Sequence, residues 1–126
     1  MEMNRDKRYK RLKAWELAHK FAIAVYIISK KFPSEELYGL TSQIRRAAFS
    51  VPLNIVEGQA SGSSKEFLRF LNISNRSLAE AEYLLEVVLE LGFISETEYE
   101  KLENMRLEAG LVLNGLIKSI KHKINA

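Results

Sequence analysis

A chain of 126 residues, 47% hydrophobic and 28% charged, has the size and composition of one domain that buries a core without covalent staples. It has no cysteine, which excludes disulfides and thiolate metal sites, and its longest apolar run, Phe21 to Ile28, is eight residues against the ~20 a membrane span needs. The net charge of +3 is modest but sorted: residues 1–31 hold nine Lys/Arg and three acids, whereas residues 63–94 hold three Lys/Arg and five acids.

The opening MEMNRDKRYKRLKAW is charged, and residues 1–11 read as a basic N-terminal arm. No signal-type apolar core with a small-residue cleavage site follows, so the expected compartment is the cytoplasm. A first helix is expected from about Leu12 to Lys31, with Trp15, Ala18, Ala22, Val25 and Phe32 recurring at helical spacing. Phe32-Pro33-Ser34 ends it, because a residue before proline is pushed out of the helical region. Ser34, Glu35 and Glu36 suit a helix N-terminus, with Gly39 interrupting the turn and Thr41 restarting the helix.

The second helix is expected to reach Gln59 and to bend, rather than break, at Pro52. From Ala47 to Val56 only Ser50 and Asn54 are strongly polar. A helix on a monomer's surface shows one apolar stripe and one wet face, so this circumference predicts cover from other copies of the chain. Gly58 and Ala60-Ser61-Gly62-Ser63 are stop and loop signals. Ser63 with Glu66 reads as a capping box opening a third helix, whose stripe runs Phe67, Phe70, Leu71, Ser74, Leu78, Ala81, Leu85 and Val88 before Gly92. Ser95 with Glu98 repeats the device for a fourth helix, lined by Tyr99, Leu102, Met105, Ala109, Val112, Leu113, Leu116 and Ile120.

Four helices on short connections predict an all-α, antiparallel up-down four-helix bundle spanning residues 1–126. In that topology the basic arm (Arg5, Lys7, Arg8, Lys10, Arg11, Lys13) comes to the same end as Lys118, Lys121 and Lys123, with Lys65 and Arg69 nearby. Glu35, Glu36, Glu86, Glu90, Glu96, Glu98 and Glu100 collect at the other end, relieved by Lys30 and Lys31. The cationic end is a candidate surface for nucleic-acid phosphates. The same charges also have a plainer role: cations at a helix C-terminus complement its dipole, and a charged arm is often simply solvated.

Chemistry has little footing. His19 and His122 are far apart in sequence, Asp6 is the sole aspartate, and the Glu82/Glu86/Glu90 row has no histidine for a metal. No catalytic residue, metal ligand, cofactor or small-molecule substrate is expected. Arg46, Ser50, Asn54 and Glu57 share one face of the second helix, where Ser77 and Glu80 of the third could join them in a polar network. That network would fix register between helices or subunits, or Arg45 or Arg46 would contact a ligand or an RNA phosphate.

Several motifs together resemble a known family. They are Trp15, Phe32-Pro33, the run Tyr38-Gly39-Leu40-Thr41-Ser42-Gln43-Ile44-Arg45-Arg46-Ala47, Pro52 with Asn54, Glu57-Gly58, and Glu66-Phe67 leading to Ser77-Leu78-Ala79-Glu80. The pattern covers nearly the whole chain and is similar to the four-helix-bundle proteins encoded within intervening sequences of bacterial 23S ribosomal RNA genes. That resemblance implies an up-down bundle assembled as a homo-oligomeric ring, commonly a pentamer, with no known enzymatic activity or cofactor. In the wider superfamily it implies accessory proteins of retroelement reverse transcriptases, for which RNA or DNA binding through a basic surface is proposed. One departure is that the family usually carries a glycine near Asn75-Arg76, so Arg76 is expected to turn outward as a further cation.

The expected function is therefore non-enzymatic RNA or other nucleic-acid binding through Arg8, Lys10, Arg11, Lys13, Lys118, Lys121 and Lys123, with Arg45 and Arg46 second. The competing expectation is a protein-interaction scaffold that docks a partner such as a reverse transcriptase or a ribosomal component.

Overall fold

The computed structural model describes residues 7–126. Four helices follow in chain order: α1 (Lys13–Ser29), α2 (Leu40–Ala60), α3 (Ser64–Glu90) and α4 (Glu96–Ile124), with short 3₁₀ turns at Arg8–Arg11 and Ser34–Glu36. Each helix packs on its neighbour in sequence, and α4 closes back on α1, leaving α1/α3 and α2/α4 as the diagonal pairs. This is the expected up-down bundle.

Local chemistry sets the boundaries. Ser34 caps nothing; it opens a 3₁₀ turn, and Glu36 reaches forward instead, its Oε1 accepting from the Leu40 amide at 3.3 Å. α2 therefore starts at Leu40, directly after Gly39. Ser63 Oγ accepts from the Glu66 amide at 3.0 Å, but Glu66 spends its carboxylate on Arg69, so the box at α3 is half formed. At α4 the box is complete, with Ser95 and Glu98 satisfying each other's amides. Gly62 and Gly92 adopt left-handed φ of 78° and 77° in the two tightest connections, a conformation that other residues rarely take.

α2 runs unbroken through Pro52, whose ring is buried. Proline brings no amide for the carbonyl four residues back. One residue before it, the Val51 carbonyl accepts from the buried Ser74 hydroxyl at 2.8 Å, a cross-link from α3. Phe21, Ile44, Ile55, Leu71, Leu85 and Leu113 fill the core, while Ala18, Ala22, Ala47, Ala48 and Ala81 let the helix axes close. α2 and α3 approach closely at Gly58, where a Cβ would stand 2.8 Å from the Phe67 ring and 2.9 Å from Phe70 Cβ.

This packing corrects one expectation. The apolar circumference of α2 is covered inside the chain, by α1 on one side and α3 on the other. Among its bulky or charged residues only Gln43, Arg46, Leu53 and Glu57 remain exposed, a narrow strip with one large apolar side chain. Small residues on α2 let two neighbours wrap it, so its composition does not by itself demand other copies. The large exposed apolar residues lie mostly elsewhere: Ile27 (58% exposed) on α1, Tyr83 (65%) on α3 and Leu111 (75%) on α4. No helix is long and apolar enough to cross a membrane among the described residues.

Candidate nucleic-acid interface

Helix length decides what gathers at the cationic pole. At about 1.5 Å per residue, the 29 residues of α4 span about 43 Å and the 17 of α1 about 25 Å. α4 therefore overhangs the start of α1, and the Arg8–Arg11 turn packs alongside α1 and α2 in that space. A cleft of about 230 Å³ opens there, lined by Arg8 and Lys123 together with Gln59, Gly62, Ser63, Ser64 and the Phe67 ring. Arg8 comes from the turn, Lys123 from the last turn of α4, and Ser63 and Ser64 from the amino end of α3. The helix-dipole ends partly oppose one another: α3 presents its positive end to the cleft, while the negative ends of α2 and α4 face the same pole.

Around this cleft Lys65, Arg11, Lys118 and Lys121 are exposed and Lys10 is half-buried. Among the described residues none of these five, nor Arg8 or Lys123, is held in an ion pair, whereas Lys13 lies 3.6 Å from Glu16 and Arg69 3.0 Å from Glu66. Lys118 and Lys121 share a face, but Lys123 is about 200° round the helix from Lys121 at ~100° per residue, so these cations form a cap rather than a stripe. Lys10 sits beside His19, whose pKa is held below its ordinary 6.5, first by burial and then by the Lys10 charge. The His19 ring stacks on Trp15 with centroids 4.8 Å apart, and Tyr9 meets the same indole edge-on at 5.1 Å. Arg5 and Asp6, with the rest of residues 1–6 of the expected arm, lie outside the described residues.

Arg45 and Arg46 do not join this surface. They lie in the first half of α2, about 20 Å along the helix from its Ala60 end. Arg45 folds onto α1: its Nε donates to Ser29 Oγ at 2.7 Å, its guanidinium lies 4.0 Å from the centre of the Tyr26 ring, and it donates to the Tyr26 carbonyl at 3.5 Å. Those bonds make it a tie between helices. Arg46 points to solvent, far from the cationic cap. Arg76 is exposed as well, as its departure from the family pattern suggested.

The polar row of α2 turns inward on its own helix. Ser50 Oγ donates to the Arg46 carbonyl at 2.7 Å and Asn54 Nδ2 to the Ser50 carbonyl at 2.7 Å. Among the described residues no side-chain hydrogen bond joins this row to Ser77 or Glu80, and Arg46, Glu57 and Glu80 are solvated. The buried polar cluster that does exist lies between α3 and α4. Arg106, 8% exposed, binds both carboxylate oxygens of Glu103 and reaches Glu82 at 3.1 Å. Bonding to Glu103 first, and the Glu82 charge after it, hold that guanidinium charged against the cost of burial. Sequence reading missed Arg106; its position on the Leu102/Ala109/Leu113 face of α4 was the available signal.

No group of three or more His, Asp or Glu side chains is disposed to hold a metal among the described residues. Fold and charge together define an α-helical bundle with a cationic cap at one pole. The chain belongs to the 23S rRNA-intervening sequence protein family, whose model matches residues 10–115. It is similar to a solved structure from Bacteroides thetaiotaomicron, described as a protein of unknown function from the S23 ribosomal protein family. The two share 27% identity with a TM-score of 0.77, over 83% of this chain and 95% of the other. Neither comparison points to an enzyme family. No curated protein matches the chain.

Proposed function

We propose that this protein is a non-enzymatic, homo-oligomeric bundle, acting in the cytoplasm, that binds RNA or other nucleic acid through its cationic cap without reading base sequence. The observation that carries the proposal is the cleft in which Arg8 and Lys123 converge on the amino end of α3, ringed by lysines and an arginine with no acidic partner among the described residues. Fixed cations displace condensed counterions from phosphates, so binding is strong at low salt and falls steeply as salt rises. Arg8, Lys10, Arg11, Lys118, Lys121 and Lys123 carry the contact, and Lys65 adds to it. Lys13 contributes less because Glu16 shares its charge. Arg45 and Arg46 are left out of the surface for the geometric reasons given above.

The test is a salt titration of RNA binding by the wild-type chain and by a triple Lys118→Glu, Lys121→Glu, Lys123→Glu variant. The wild type should bind with a log–log salt slope of several units, and the variant should lose binding. Absence of measurable affinity near ~50 mM salt ends the proposal. A scaffold that docks a protein partner through its flanks predicts the opposite for the variant, which would leave that complex intact.

A further inference from the structure

Two of the large apolar side chains left exposed on α1, Ile23 and Ile27, belong to a structured groove. Ile23, Ala24, Ile27 and Ile28 of α1 and Met105 of α4 line a trough of about 400 Å³, with Lys101 and Lys20 at its rim, the latter also 3.0 Å from Glu16 in an exposed pair. Ile23 is 40% exposed, and Lys101 has no ion pair among the described residues. α3 carries a ridge of the opposite character: exposed Tyr83 stands between exposed Glu80 and Glu86, neither of them in an ion pair among the described residues. α1 and α3 are diagonal in the bundle, so ridge and groove look away from each other.

We propose that the occupant of the α1/α4 groove is the α3 ridge of a second copy of this chain. The proposal rests on the self-association part of the reading above and is independent of nucleic-acid binding. Its support is a match in height as well as in charge. α1 and α3 both end at the acidic pole, where α4 begins. At about 1.5 Å per residue from those ends, Ile27 and Ile23 lie about 3 and 9 Å down, Lys101 about 8 Å and Lys20 about 14 Å. On α3, Glu86, Tyr83 and Glu80 lie about 6, 11 and 15 Å down. Two copies set side by side with the same pole upward therefore bring Tyr83 to Ile23, Glu86 to Lys101 and Glu80 to Lys20. A rigid aromatic seated in an apolar pocket with charges at its rim is the usual anatomy of an interface centre. Because donor and acceptor surfaces differ, the contact is head-to-tail; repeated, it closes a ring or extends a filament. The parallel setting keeps every cationic cap on one side of that assembly.

Sedimentation of the full chain, without RNA, tests this. Ile23→Glu spoils the groove alone and Tyr83→Arg the ridge alone. Each should raise the dissociation constant by about a hundredfold or more and leave subunits. Mixing the two variants should give a one-to-one dimer, since each retains the surface the other lacks, and that dimer also shows that both fold. A wild type that sediments as one subunit refutes self-association itself. A wild-type oligomer unaffected by either variant, or a mixture that stays at subunit mass, keeps self-association and overturns this interface.

Discussion

Two alanine substitutions of the same chemical kind should move stability in opposite directions. Gly58 and Gly115 both lie inside helices, where replacing glycine by alanine relieves the extra backbone entropy lost on folding and favours the helix by about 1 kcal/mol. At Gly115 nothing lies within 4 Å of the added Cβ, so Gly115→Ala should stabilise by roughly 0.5–1 kcal/mol. At Gly58 the same atom would meet the Phe67 ring at 2.8 Å and Phe70 Cβ at 2.9 Å. The ring can turn, but Phe70 Cβ is fixed to the α3 backbone, so α2 and α3 must separate. Overpacking of this kind costs about 1–3 kcal/mol, which exceeds the helix gain over most of its range. Gly58→Ala should be destabilising by up to about 2 kcal/mol. Urea unfolding of both variants at one protein concentration reads the two signs. A stabilised Gly58→Ala would mean that the helices are not in contact there, and the α2–α3 geometry described above would be wrong.

Arg106→Met should destabilise by about 1–3 kcal/mol in urea unfolding, since it strands Glu103 beside the core; the half-exposed Glu82 keeps the cost below that of a fully buried pair. Adding Glu103→Leu should recover much of the loss, and a simple sum of two losses would show the pair to be uncoupled. Ser74→Ala should cost about 1 kcal/mol by the same measurement, through the bond to the Val51 carbonyl. Glu98 has its pKa lowered below 4.5, first by the Lys31 hydrogen bond and then by the Ser95 amide. Its contribution is therefore full above about 4.5 and is lost as pH falls through the lower folded value. Thermal unfolding against pH should show Glu98→Gln with a shallower acid limb than the wild type, and identical limbs would remove Glu98 from the account.

Much of the fold was legible because its signals are local. Ser95 and Glu98 lie three residues apart and need no tertiary partner to form their box, and Gly62 and Gly92 mark connections that only a left-handed residue closes smoothly. That the helix continues through Pro52 was readable because the helical pattern resumes beyond it. The capping box at Ser63 was half readable: Glu66 had two suitors, the Ser63 amide and Arg69, and sequence spacing alone cannot rank them. The inference that α2 needs other copies failed for a related reason. Its apolar circumference was visible, but the alanines that let α1 and α3 wrap it belong to three different helices, and only their joint packing shows the cover to be sufficient.

The cationic cap and the arginines of α2 differ in legibility because they depend on different geometric quantities. Which end of an up-down bundle a residue reaches follows from the direction of its helix, and an error of two residues in a boundary moves it only about 3 Å along the axis. The convergence of Arg8 with Lys123 survives such errors, so it could be read from sequence and is found in the structure. Whether a side chain faces solvent or a neighbour depends instead on rotation, which changes by about 100° with each residue. Arg45 and Arg46 are adjacent in sequence, yet one is tied to Ser29 and Tyr26 and the other is free in water. Arg106 sits one such rotation from exposed Leu107 and is buried against α3. A charge cluster at the pole of a bundle can thus be read from charge and helix direction, while contacts on its flanks require the rotational register that only packing supplies.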